Sequence, residues 1–370
     1  MRVFLSLVAG FFALTACADR SFTPTVPEAL AVGTPFTLFT ATTRAKDPDG
    51  SYGYHRSEQL TLLEMTVSIP PAHTPGNLEF AYARPNPQTQ FTMAGRQKIT
   101  SNSAFRARVN ASLDRLPSNE QEVTVFIHGY NATQAETVFR ATQLANDISL
   151  PGTMVVYSWP SQGKALGYAY DNDSLLFARD GLEQLLFELQ STHARRIILV
   201  AHSMGSLLTM EALRQIELRH PGWSDQNIGG VMLISPDLDI EVFRSQIASL
   251  AKIPQPFVVF VSERDGILNL SARLRGTGDR ERLGNIKSID KIADLPISII
   301  DTTAFANEPG SSHFLPATSP ALLAMLNDAQ TMQKTFGPEQ LHLANLLPGE
   351  ITRRQGVTEI TLAPAEEGAR

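Results

Sequence analysis

Ile197-Ile198-Leu199-Val200-Ala201-His202-Ser203-Met204-Gly205-Ser206-Leu207-Leu208-Thr209-Met210 passes from an aliphatic run, through a turn, directly into a helical pattern. Its first five residues are apolar whichever way they point, as in a strand covered on both faces. Similar short runs recur at 123–127, 153–158, 228–235, 257–262 and 297–301. Segments of helical period separate them at 132–147, 174–191, 204–219, 240–251 and 267–275. Doubly buried strands alternating with helices predict an α/β fold, a mostly parallel sheet with helices on both faces. Two earlier runs, 36–42 and 60–69, read as leading strands, the second closed by Pro70-Pro71. A helix at 320–334 is expected to close the domain.

With 43% apolar and 18% charged residues over 370 positions, the chain can bury a large core. A net charge of −6 without any run of Lys or Arg argues against nucleic acid as a partner. There is no His-Glu-x-x-His and no ligand cluster with zinc spacing, so neither a metal nor a cofactor is expected. Gly276-Thr277-Gly278 is too slight to hold a nucleotide and reads as loop.

Cys17, the only cysteine, excludes an intramolecular disulfide. Arg2 followed by the apolar stretch 3–14 has the form of a signal peptide, and Leu14-Thr15-Ala16-Cys17 has the form of a bacterial lipobox, with cleavage before a lipidated Cys17. Ordinary secretion, with cleavage after Ala18, is the alternative. The apolar stretch falls short of the ~20 residues that span a bilayer. The expected organisation is a signal peptide at 1–16, a Pro-rich tether at 17–35, a catalytic domain at 36–335 and a C-terminal extension at 336–370. The protein is expected on the periplasmic face of a bacterial envelope, held to a membrane by its lipid.

Ser203 stands where a buried strand meets a helix N-terminus, the setting of a nucleophile on a sharp turn. Such a turn needs small residues two before and two after the serine, here Ala201 and Gly205. The usual pattern has glycine at both, so Ala201 is a departure. Strand 123–127 ends in His128-Gly129-Tyr130-Asn131, where a second backbone donor for a developing oxyanion belongs; the expected donors are the amides of Tyr130 and Met204. Among the histidines after Ser203, His220 reads as a helix cap and His342 lies beyond the closing helix. His313, in a loop after the last core strand, is the candidate base. Three aspartates, Asp265, Asp237 and Asp301, leave the ends of successive strands, and Asp265 follows the strand that usually bears the acid. Trp159, Tyr168, Tyr170 and Phe314 are candidates for an apolar acyl wall. The loops 162–173 and 276–293 are expected to shape access.

These segments, with Ser158-Trp159-Pro160-Ser161, Tyr168, Asp171 and Asp173, resemble an uncharacterised bacterial esterase/lipase-like family of α/β-hydrolases. The likeness extends to Ala41-Thr42-Thr43-Arg44 and Val67-Ser68-Ile69-Pro70-Pro71 and covers about residues 36–330. It implies an α/β-hydrolase fold and a triad of Ser203, Asp265 and His313, and it names no substrate. The expected chemistry is cleavage of an ester or thioester, carried by a small molecule or a lipid, through an acyl-enzyme. The alternative is a non-catalytic envelope lipoprotein that keeps the fold as a binding scaffold.

Overall fold

The computed structural model describes residue 20 and residues 22–150, 152–276, 281–308, 312–336 and 347–363. The expected signal peptide with Cys17, His342 and the tail from Pro364 lie outside the described residues.

An antiparallel ribbon of β1 (Thr34–Lys46), β2 (Tyr52–Ile69) and β3 (Thr92–Ile99) comes first, and α1 (Asn102–Leu113) follows it. The chain then alternates between strand and helix: β4 (Val123–Ile127), α2 (Gln134–Asp147), β5 (Thr153–Ser158), α3 (Tyr168–Gln190), β6 (Ile197–His202) and α4 (Met204–Arg219). A short α5 (Trp223–Asn227) leads into β7 (Ile228–Ile234), α6 (Ile240–Ile247), β8 (Phe257–Val261), α7 (Gly266–Leu274) and β9 (Ser298–Asp301). Helices α8 (Leu315–Thr318) and α9 (Pro320–Phe336) and a hairpin of β10 (Gly349–Arg354) and β11 (Val357–Leu362) complete the described chain.

All eleven strands described form one sheet, in the order β10-β11-β9-β8-β7-β6-β4-β5-β1-β2-β3. The pairings from β11 through to β1 are parallel. Each central strand is buried on both faces because its residues alternate between two cores. Val123, Val125 and Ile127 of β4 join the core packed by α1, α3, α4 and α6, whereas Phe126 joins the core packed by α2, α8 and α9. The chain leaves β4 for β5 on one side and returns to β6 on the other. The crevice at the carboxyl ends of β4 and β6 is therefore a topological switch point, where ligands bind in open α/β sheets.

Three boundaries differ from expectation. Residues 349–362 of the expected C-terminal extension are part of the sheet, since β11 pairs in parallel with β9 and β10 pairs with β11. The apolar Val357, Ile360 and Leu362 are too few and too short a run to announce a strand. The tether also docks in part: Ala29 is buried, the Val26 amide donates to the Met93 carbonyl (2.8 Å), and Ser68 Oγ donates to the Ala29 carbonyl (2.8 Å). Finally, α3 begins at Tyr168 instead of 174, because its polar first turn is tied down by the buried Asp171.

Candidate active site

Ser203 sits between β6 and α4 with φ 53° and ψ −123°, a conformation that costs a non-glycine residue ~1–3 kcal/mol. The turn is held by hydrogen bonds on both sides: the Ser203 amide donates to the Ile234 carbonyl (3.0 Å), and the Ser203 carbonyl accepts from the Asp237 amide (3.2 Å). A Cβ on Gly205 would stand 2.4 Å from the His128 carbonyl oxygen, so the helix can approach the end of β4 only with glycine there. At Gly129 a Cβ would fall 2.7 Å from Ser203 Cβ. The loop after β4 thus passes directly beside the serine.

His313 bridges two partners. Its Nε2 lies 2.8 Å from Ser203 Oγ and its Nδ1 lies 2.7 Å from Asp265 Oδ2. A carboxylate can only accept, so Nδ1 carries the hydrogen and Nε2 is left to receive the serine hydroxyl's proton. Asp265 is fully buried, and its other oxygen caps α7 by accepting from the amides of Ile267 (3.1 Å) and Leu268 (3.2 Å). One carboxylate therefore fixes both the helix start and the imidazole.

The other two aspartates are engaged elsewhere. Asp237 pairs with Arg282 at 2.7 Å, both nearly inaccessible, and accepts from Ser271 Oγ (2.6 Å) and the Tyr168 hydroxyl (2.7 Å). Burial pushes the Asp237 carboxyl up, but Arg282, Ser271 and Tyr168 outweigh it and hold the group below the usual carboxylate range. Asp301 Oδ1 accepts from Thr303 Oγ1 (2.5 Å) and the Thr303 amide (2.9 Å), closing its own turn.

The amide of Met204 opens α4 and has no acceptor within the helix. The Tyr130 amide follows Gly129 in the loop beside Ser203. That loop is braced from below by two buried charges. Asp171 accepts from the Asn131 amide (3.2 Å), Ser161 Oγ (2.6 Å) and the Gln162 amide (2.7 Å). Arg44 donates to the carbonyls of Ala132 (2.7 Å), Ser161 (3.0 Å) and Gly53 (2.9 Å) and to Ser158 Oγ (2.9 Å). Burial pushes the Arg44 guanidinium down to about 10, so it stays charged at neutral pH.

The aromatic residues expected to form an acyl wall are used differently. Trp159 is 0% exposed, stacked at 4.8 Å on His128 and donating from Nε1 to the His128 carbonyl (2.8 Å), so it packs the core and cannot line a substrate path. Tyr168 spends its hydroxyl on Asp237, Ser271 and Arg275. Tyr170 donates to the Tyr54 carbonyl (2.7 Å). Phe314 is nearly buried and stacks at 3.9 Å on His202. Ser203 itself is only 3% exposed and His313 8%. Two surface concavities, one beside Arg196 and Lys252 and one beside Thr74 and Asn327, lie away from them.

Two histidines gain roles that residue order alone hides. His202 faces the His313 carbonyl from Nε2 at 3.1 Å, which makes Nε2 the donor and steadies the loop bearing the base. Burial, then the neighbouring His313, hold the His202 imidazole well below its ordinary range, and hence neutral. The only signal in the sequence is its place next to Ser203. His128, buried between the carbonyls of Gly129 and Trp159, is pushed down to about 3 by burial and then by Arg44. Between pH 6.5 and about 3 the unfolded chain takes up a proton on His128 that the folded chain refuses, so stability falls as pH falls, by up to ~1.4 kcal/mol per pH unit. Urea midpoints at pH 7, 6 and 5 are expected to decline in that order, and less steeply in His128→Gln. A pH-independent midpoint would contradict the neutral buried imidazole.

Residues 101–328 match a family model described as alpha/beta hydrolase of unknown function (DUF900). The chain belongs to this family. Its fold is the α/β-hydrolase fold. Among solved structures, this α/β-hydrolase is similar to lipase B of Aspergillus fumigatus, with TM-score 0.38 and 13% identity over 62% of this chain and 56% of the lipase. The naproxen esterase of Bacillus subtilis gives TM-score 0.33 and 9% identity over 84% of this chain and 95% of the esterase. Brefeldin A esterase, a bacterial homologue of human hormone-sensitive lipase, gives 0.28 and 15% over 74% of this chain and 75% of its own. The chain thus spans little more than half of the fungal lipase, and likeness of this degree transfers neither activity nor substrate. Among curated proteins no match is found.

Proposed function

We propose that the protein is a serine hydrolase that cleaves an ester or thioester through an acyl-enzyme. The continuous hydrogen-bonded chain Asp265–His313–Ser203 carries this reading. His313 Nε2 takes the hydroxyl proton as Ser203 Oγ bonds to the substrate's carbonyl carbon, and the carbonyl's electron pair moves to its oxygen. The amides of Met204 and Tyr130 hold that oxyanion, aided by the N-terminal end of α4. Asp265 keeps Nδ1 protonated and balances the imidazolium. Collapse expels the alkoxide or thiolate, which receives the proton from Nε2; water then adds by the same route in reverse and releases the acid. No step calls on a metal or cofactor.

The experiment is trapping with a fluorophosphonate, whose tetrahedral phosphorus mimics the intermediate. Ser203 is expected to label in the wild type, not in Ser203→Ala, and only weakly in His313→Ala, and short p-nitrophenyl esters should turn over above background. The near-complete cover over Ser203 is the one observation that favours the non-catalytic scaffold. Folded protein that neither labels nor turns over would overturn the enzyme reading in favour of that scaffold.

We further propose that a lipid on Cys17 ties the hydrolase to a membrane of the bacterial envelope, which rests on the Leu14–Cys17 sequence. Among the described residues no helix is long and apolar enough to cross a membrane. Cys17→Ser is expected to abolish acylation and release the chain from the membrane fraction. A Ser variant that still floats with membranes at mature size would contradict the anchor.

A further inference from the structure

Arg20 lies three residues beyond Cys17 and is fastened to the rim of the candidate active site. Its Nη1 donates to Asn131 Oδ1 (3.0 Å) and to the Gly163 carbonyl (2.5 Å), and its Nη2 donates to Glu136 Oε1 (2.6 Å) and to the Asn131 carbonyl (3.4 Å). Asn131 directly follows Tyr130, the expected oxyanion donor. Three residues of extended chain reach at most about 11 Å. Whatever holds Cys17 is therefore close to the loop after β4, which passes beside Ser203.

The same rim shows apolar side chains to solvent. Leu166 is 99% exposed, in a loop whose Ala165 carbonyl accepts from the Tyr130 hydroxyl. Two residues on, Tyr168 joins α7 through Ser271 (2.8 Å) and Arg275 (2.5 Å). Helix α7 is capped at its start by Asp265. It buries Leu268, Ser271 and Ala272 and turns Ile267, Leu270 and Leu274 outward, an apolar stripe at i, i+3 and i+7. Exposed Lys164, Arg264 and Arg273 flank these residues, with Glu263 an exposed acid among them, in a chain whose net charge is −6. Isolated exposed leucines are ordinary, but four apolar side chains with basic neighbours on one rim mark an interaction surface.

We propose that this rim rests on the anionic bilayer that holds Cys17. Leu166, Ile267, Leu270 and Leu274 enter the headgroup region and the three cations face lipid phosphates, as in interfacial helices. Ser203 then draws an ester carried by the membrane in preference to one dissolved in water. The inference rests on the lipid-anchored hydrolase reading.

The test uses the full mature chain, acylated on Cys17, in phosphatidylglycerol–phosphatidylethanolamine vesicles. Leu270→Cys is labelled with bimane, and so is Leu218→Cys, which lies near the far end of α4, roughly 22 Å along the helix from Ser203. Brominated lipid is expected to quench the probe at 270 at least about twofold and to leave the one at 218 unchanged. Equal quenching at both positions, or quenching at 218 alone, overturns the proposal. In the variant Leu166→Ser/Leu270→Ser/Leu274→Ser, turnover of a vesicle-borne long-chain ester should fall about tenfold, with turnover of a soluble short ester unchanged. Equal loss on both esters counts against the interfacial role. Fluorophosphonate labelling of the same samples separates a failed hydrolase reading from a failed orientation, and a mass spectrum without acyl chains on Cys17 removes the proposal together with the anchor.

Discussion

Asp265→Asn is expected to lower turnover by about 10⁴-fold while leaving the protein folded. The amide keeps the shape of the carboxylate, and asparagine caps a helix as well as aspartate does, so the start of α7 survives. What changes is the partner of His313 Nδ1, now able to present an N–H where only an acceptor is useful. The imidazole is then free to adopt the tautomer in which Nε2 carries hydrogen and cannot take the proton from Ser203. Ester turnover with a thermal melt on the same sample checks this. Asp265→Ala removes the cap as well and should lose a further ~1 kcal/mol of stability. If Asp265→Asn turned over normally and Asp237→Asn did not, the acid would be Asp237, against the distances between these groups.

Arg282→Met is expected to destabilise the fold by about 3–5 kcal/mol, the cost of leaving Asp237 charged, buried and without its cation. The effect should reach the site too. Residues beside Arg282 lie over the ends of β7 and β8: the Gly284 amide donates to the Pro236 carbonyl (3.0 Å), and the Gly284 carbonyl accepts from the Ser262 amide (2.9 Å). Ser262 opens the turn that carries Asp265, whose amide donates back to the Ser262 carbonyl (3.1 Å). Urea unfolding measures the stability term, and a loss below ~1 kcal/mol would mean that water or another cation reaches Asp237. Replacing both partners by apolar residues should recover part of the loss, because the penalty belongs to the orphaned charge.

How far the sequence could be read follows from where each element is buried. Strands β4 to β9 lie inside the sheet and are covered on both faces, so each is a short, mostly apolar run that residue types alone reveal. Helix α1 was missed because its buried stripe is thin: Phe105, Val109 and Leu113 stand among polar residues, and only Ser101, accepting from the Ala104 amide, marks its start. Strand β10 was missed because nearly all of its side chains meet solvent, which leaves no alternation to detect. The meeting of Ser203, Asp265 and His313 was legible in the order of strand ends along the chain, which fixes which loops come together. The roles of Trp159 and Tyr168 were not, since an aromatic residue beside a site looks the same in sequence whether it faces a ligand or a buried His128. Arg44 and Asp171 stand out in the sequence only through a resemblance. Their work under the loop after β4 depends on contacts 88 and 40 residues away, which no local pattern carries.

An open sheet of eleven strands has two edges, and the unpaired part of each is an invitation to pair with a neighbouring molecule. β10 answers with Glu350, Arg353 and Arg354, and β3 with Arg96, Gln97 and Lys98, so that both borders meet other chains with charge or amide. The hairpin that supplies β10 is the last part of the sheet to be made. Until it docks, β9 is the border, and its Ile299 and Ile300 have no charged guard between them. A chain shortened before residue 349 would keep Ser203, Asp265 and His313 and yet be prone to aggregate through that uncovered strand.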